Sequence, residues 1–154
     1  MKIAVIGTGN IGGTLARKLV IAGHNVSVAN SEGRESVQQF ADEIGVSAAN
    51  VDDVAAGVEV VILAIPTNAM AALPDALFKS IVPDATVIDT SNYYPDMRDS
   101  RVPEIDEGMT ESVWVSRQIG FPVVKAFKQR SGLHLGEFGT SSREPWPTRD
   151  CCCR

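Results

Sequence analysis

Met1-Lys-Ile-Ala-Val-Ile-Gly-Thr-Gly-Asn-Ile-Gly-Gly-Thr14 is the stretch on which the fold turns. Ile3, Ala4, Val5 and Ile6 follow one another with no polar face for water, so Lys2 to Ile6 read as a buried parallel strand. The chain then passes through Gly7-x-Gly9-x-x-Gly12 straight into a helix expected from Asn10 to Ala22. Gly7 allows a sharp turn, Gly9 removes a Cβ that would strike a pyrophosphate, and Gly12 lets the helix pack closely on the strand. The N–H groups of Thr8, Asn10 and Ile11 are left to face the phosphates, helped by the helix dipole. A glycine-rich turn alone is common. Here strand, turn, helix and a second strand (Asn25 to Ala29) come in order within the ~30 residues of a dinucleotide-binding unit.

The end of that second strand bears on which dinucleotide. An NAD site usually places Asp or Glu about 20 residues past the glycines, where the carboxylate accepts from the ribose 2′-hydroxyl. This chain reads Val28-Ala29-Asn30-Ser31 instead. Asn30 and Ser31 tolerate a 2′-phosphate, and Arg34 is the nearest cation able to fork onto one. NADP is favoured, although Glu32 and Glu35 flank the arginine. The plainer reading of Asn30, Ser31 and Gly33 is a turn and N-cap for a helix from Glu35 to Ile44.

The rest alternates strand and helix, as a doubly wound parallel α/β sheet of the Rossmann type requires. Val51 to Gly57 looks like a helical turn with a glycine C-cap, leading into a central strand from Val58 to Ile65 that Pro66 stops. Thr67 or Asn68 can cap the next helix, which runs to Ser80 with a bend at Pro74. Ala85 to Asp89 is a strand, residues 103–120 contain a helix, and Pro122 to Phe127 is a strand. Ligands of such sheets sit beyond the carboxyl ends of the strands. Ala64-Ile65-Pro66 emerges there as an apolar wall, and Asn92 as an amide for a ribose or carboxamide. Asp89 reads as a brace for neighbouring backbone, with no catalytic task.

Composition narrows the class. A chain of 154 residues is the size of one ordinary domain, short for a dehydrogenase with its own substrate domain. A formal charge of −5 and a pI near 5.0, without a basic stripe, argue against nucleic acid. No apolar run approaches the ~20 residues of a membrane span, and a core strand opens the chain, so a cytoplasmic protein is expected. No cluster has metal-ligand spacing.

M-K-I-A-V-I-G-T-G-N-I-G, V-A-N-S-x-G-x-E-S, V-I-L-A-I-P, V-I-D-T-S-N-Y-Y, E-S-x-W-V-S-R-Q and V-V-K-A-F together resemble the nucleotide-binding domain of NADPH-dependent deazaflavin (coenzyme F420) reductases. More distantly the chain is similar to the N-terminal domains of pyrroline-5-carboxylate reductase and β-hydroxyacid dehydrogenases. The resemblance implies a Rossmann domain over residues 1–127 that binds NADP, with residues 8–11 on the pyrophosphate, Ser31 and Arg34 near the 2′-phosphate, and residues 64–66 along the cofactor. It implies hydride exchange with a deazaflavin or flavin-like ring as small-molecule redox acceptor, which requires alignment of two rings more than an acid or base. Members often show N-S-R-G-P-E-S where this chain has Asn30-Ser-Glu-Gly-Arg-Glu-Ser36.

Residues 128–154 change character. Residues 1–127 carry 9 basic and 16 acidic side chains, whereas 128–154 carry 5 and 3. The stretch from Ser141 to Arg154 has no period of 2 or 3.6, and Cys151 to Cys153 lack C-x-x-C spacing. A truncated or frameshifted, irregular tail is the expectation, and with it a nucleotide half that lacks its substrate half. Unmatched sheet edge and apolar helix surface around Trp114 and Phe121 would favour a homo-oligomer. Two functions follow: an NADP-dependent oxidoreductase, or a catalytically silent NADP-binding regulatory module.

Overall fold

The computed structural model describes residues 1–127, and the expectations for the C-terminal tail and its cysteines lie outside them. Six parallel strands form one sheet: β1 Lys2–Ile6, β2 Asn25–Ala29, β3 Ser47–Ala48, β4 Val60–Leu63, β5 Thr86–Asp89 and β6 Val123–Lys125. Their order is β3-β2-β1-β4-β5-β6. The chain winds outward from β1 through β2 to β3, then crosses to the other side of β1 and winds outward again through β6. The order therefore reverses between β1 and β4, the place where a doubly wound sheet opens a crevice at its carboxyl end. Ile6 of β1 stands beside Ala29 of β2 and Leu63 of β4, so three strand ends meet there.

At the centre of the sheet, in β1 and β4, both faces are buried, which is why these two strands read as nearly unbroken apolar runs. Along β1, Ala4 and Ile6 join one core cluster with Leu63, Met70, Leu77, Trp114 and Val115. Ile3 and Val5 join the other, with Leu15, Ala16, Val28, Val37 and Ala41. The second face is covered by α1 Asn10–Ile21 and α2 Arg34–Ile44. The first is covered by a 3-10 helix Thr67–Ala72, α3 Asp75–Ser80 and α5 Glu111–Ile119, with the short α4 Pro103–Asp106 ahead of α5. Each fully buried Leu or Ile contributes about 1.5–3 kcal/mol to this arrangement.

The elements differ from the expected ones where local rules compete. Proline splits the single helix expected from Thr67 to Ser80: Leu73 and Pro74 are extended, the 3-10 segment ends before them and α3 begins after. Pro66, not Thr67 or Asn68, occupies the N-cap, and no side chain caps the segment. Residues 51–57 form successive turns that end at Gly57, φ 66°, without becoming a helix. β3 was not expected, because two residues carry no readable period. Trp114 is only 7% exposed and sits in the core, so it does not supply the exposed apolar surface expected of it.

Two glycines of the first turn are required by packing. Gly7 has φ 94°, and a Cβ on it would meet the Ala64 carbonyl oxygen at 2.5 Å. A Cβ on Gly12 would lie 1.9 Å from the Gly7 carbonyl oxygen and 2.9 Å from Ala64 Cβ. Because the obstructing atom at Gly12 is backbone, the Gly12→Ala chain has to push α1 off the sheet. It should lose about 3 kcal/mol of stability, a fall of about 10 °C in Tm measured by thermal unfolding.

Candidate functional site

The carboxyl ends of β1, β2 and β4 open into a cavity of about 500 Å³ lined by Gly7, Asn30, Ser31, Asn50, Ile65, Pro66 and Leu73, among others. Its polar rim is built by side chains that cap backbone. Asn30 Oδ1 accepts from the Glu32 N–H at 2.9 Å and lies 2.7 Å from the Ser36 hydroxyl, which is the turn expected of that residue. Asn50 Oδ1 accepts from the Arg34 N–H at 3.1 Å and so ties the start of α2 to the loop after β3. Gly33 precedes α2 with φ 91°. The Arg34 side chain, Glu32 and Glu35 are all exposed.

Next to this cavity α1 begins. Its N-cap is Gly9, with no side-chain cap and no acidic residue in the first turn. The first N–H groups of a helix have no partner within it, and here no side chain supplies one. A Cβ built on Gly9 finds nothing within 4 Å. Gly9 has ordinary dihedrals, φ −69° and ψ −165°, so neither strain nor packing demands a glycine there. What the missing Cβ leaves is open space in front of an uncapped helix N-terminus, which suits a phosphate.

Beyond Ile65 and Pro66 lies a second cavity of about 360 Å³, lined by Gly9, Asn10, Ile11, Ala64, Thr90, Ser91, Asn92, Tyr94 and Arg98 with the same two wall residues. The loop after β5 shapes it. Arg98 donates to the Asn92 carbonyl and to Asp99, 2.8 Å from Oδ2, and lies over the Tyr94 ring at 5.3 Å. Asp99 is buried and accepts from the Tyr94 N–H at 2.8 Å. Tyr93 accepts from the Val102 N–H at 2.7 Å and donates to Asp106 at 3.1 Å, and burial raises its pKa above the usual phenol value. Behind the cavity, Asp89 Oδ1 accepts from the Ser91 N–H at 2.8 Å, and Asp89 Oδ2 pairs with Lys125 at the same distance.

Gly7, Asn30, Ser31, Ile65 and Pro66 thus gather around the first cavity. Gly9, Asn10, Ile11, Ala64, Ile65, Pro66 and Asn92 line the second. Thr8, Gly12 and Arg34 line neither: Thr8 belongs to the turn, Gly12 faces the Gly7 carbonyl, and Arg34 stands exposed at the start of α2. Sequence reasoning missed Asn50, Arg98 and Lys125. Asp89 and Lys125 end adjacent parallel strands, a pairing that only the register between β5 and β6 reveals. Arg98 carried no signal, since one arginine in an acidic loop looks like solvated surface.

An all-parallel sheet in this order, with the crevice, glycine turn and uncapped helix at one end, defines a Rossmann-like fold of the nucleotide-binding class. Within that class, a family model described as NADP oxidoreductase, coenzyme F420-dependent, matches residues 2–93, and the chain belongs to this family. A hypothetical protein from Sinorhizobium meliloti is 30% identical with a TM-score of 0.69, over 88% of this chain and 65% of that one. A candidate F420-dependent NADP-reductase from Arthrobacter sp. FB24 shares the fold at 24% identity and a TM-score of 0.69, over 86% of this chain and 64% of its own. The 3-hydroxyisobutyrate dehydrogenase of Mycobacterium tuberculosis does so at 19% identity and a TM-score of 0.60, over 86% and 42%. The chain therefore spans just under two thirds of the first two proteins. No curated protein sequence matches it. Among the described residues no helix is long and apolar enough to cross a membrane.

Gly9 offers a clean separation of site from fold. Gly9→Ala should keep stability within about 1 kcal/mol by thermal unfolding, since the new methyl meets no atom of the described residues. The same methyl occupies the space in front of α1, and dinucleotide affinity measured by calorimetry should fall by about tenfold or more.

Proposed function

We propose that this chain binds NADP(H) along the carboxyl edge of the sheet and exchanges hydride with a deazaflavin or flavin-like acceptor. The observation that carries the reading is the continuity of the site. The glycine turn and the Ile65–Pro66 wall border both cavities, so one extended ligand can lie with its centre at the start of α1 and an end in each. The adenosine end belongs in the larger cavity between Ser31 and Leu73, and the nicotinamide end beside Asn92. Residues 8–11 hold the pyrophosphate, while Ser31 and Arg34 receive the 2′-phosphate.

The fit is supported by the uncapped α1 N-terminus, the open space at Gly9 and the apolar wall, which favour a phosphate flanked by two flat rings. The bound nicotinamide supplies the hydride. The chain supplies orientation: Ile65 and Pro66 exclude water from one side of the cavity, and the Arg98–Asp99 pair stiffens the loop opposite. Homo-oligomerisation, with a partner completing the acceptor pocket, is part of this proposal. A catalytically silent NADP-binding module is the alternative, and a hydride-transfer assay with deazaflavin, flavin and ferric acceptors separates the two.

Titration of NADPH and NADH against the full chain tests the cofactor assignment. NADPH should bind the more tightly, and Arg34→Ala should weaken it by about 1–3 kcal/mol while leaving NADH unchanged. Equal affinity for both dinucleotides in the parent chain would remove the 2′-phosphate site, and binding of neither would remove the enzyme reading.

A further inference from the structure

The Lys125 ammonium donates hydrogen bonds to two oxygens and forms an ion pair with a third. Nζ lies 2.8 Å from Asp89 Oδ2, 3.0 Å from Ser91 Oγ and 3.2 Å from Glu111 Oε2. The ammonium has no lone pair, so Ser91 can only accept in that bond. The Ser91 N–H is already given to Asp89 Oδ1. The hydroxyl hydrogen of Ser91 remains. It has no acceptor among the described residues, although the residue is only 4% exposed and lines the second cavity. Buried polar groups are ordinarily satisfied, and a donor left over at a cavity wall is one that a ligand can satisfy.

The charge behind Ser91 narrows the partner. The Lys125 ammonium is already paired with the buried Asp89 carboxylate at 2.8 Å and lies 3.2 Å from Glu111, so it offers no spare positive charge to a phosphate, and the hydroxyl suits an uncharged oxygen. Polarisation by the ammonium also makes the hydroxyl a stronger donor. We propose that Ser91 Oγ donates a hydrogen bond to an uncharged oxygen, carbonyl or hydroxyl, of the nicotinamide-riboside end of the dinucleotide. Lys125 is the positioning residue: by occupying a lone pair of Ser91 Oγ it turns the hydroxyl hydrogen toward the cavity. This rests on the assignment of the second cavity to the nicotinamide end.

Calorimetry with two ligands on the full chain tests it: NADP⁺, and 2′,5′-ADP, which carries only the adenosine half. Ser91→Ala should weaken NADP⁺ by about 2- to 12-fold, the range of one hydrogen bond, and leave 2′,5′-ADP unchanged. The variant Lys125→Met with Glu111→Gln removes one charge of each sign and should show the same selective loss. Adding Ser91→Ala to it should cost nothing further, because the two act through one hydrogen bond. Losses that multiply would overturn the role of Lys125. Unchanged NADP⁺ affinity in Ser91→Ala, or an equal loss of both ligands, would overturn that of Ser91. A parent chain that binds neither ligand would instead overturn the dinucleotide reading itself, and this proposal with it.

Discussion

The close approach of α1 to the ends of β1 and β4 is the constraint on which the rest of this structure depends. The Gly7 carbonyl, Gly12 and Ala64 occupy one small volume in which a single added methyl would overlap backbone. That contact holds the N-terminus of α1 directly over the crevice where the strand order reverses. A helix even one side chain further out would leave its unpaired N–H groups facing solvent. The three glycines therefore have unlike tasks. Gly7 and Gly12 are small because protein atoms press on them, whereas no atom of the described residues presses on Gly9.

The remainder of the edge divides by chemistry. On the side of β2 the polar groups are spent on backbone: Asn30 closes its own turn and Asn50 caps the start of α2. The larger cavity is thus apolar in its wall and neutral in its rim, apart from Asp52. On the side of β5 charged pairs predominate. Arg98 with Asp99 stiffens one wall, and Lys125 with Asp89 and Glu111 supports the other from behind. Buried ion pairs of this kind are weak arguments for stability, since desolvation offsets much of their attraction. Their effect here is geometric, because each fixes a loop that borders the second cavity.

Much of the fold was legible because it is written in local patterns. Apolar runs such as residues 60–65 announce strands buried on both faces. Legibility failed where two local rules met. Pro74 was read as a bend within one helix, yet the residue before a proline is also driven to extended backbone, and the helix became two. Around Trp114, where unmatched apolar helix surface is expected, the indole is covered, because periodicity says which residues share a face and not what covers that face.

The candidate site shows the same division. The glycine turn and the helix start behind it were legible from sequence, because backbone geometry within a few consecutive positions forms them. Asn30 and Ser31 could be assigned as a strand-end turn for the same reason. Asp89 was legible only as a brace, since its partner is 36 positions away in the chain. The register of β5 against β6 sets Asp89 beside Lys125, and α5 brings Glu111 to the same ammonium. Sequence by itself determined the strand-turn-helix unit, the class of ligand and the family, all of which rest on short-range spacing. Which polar groups meet behind the second cavity was decided only by the tertiary structure, because the pairing of parallel strands joins residues that no local period relates.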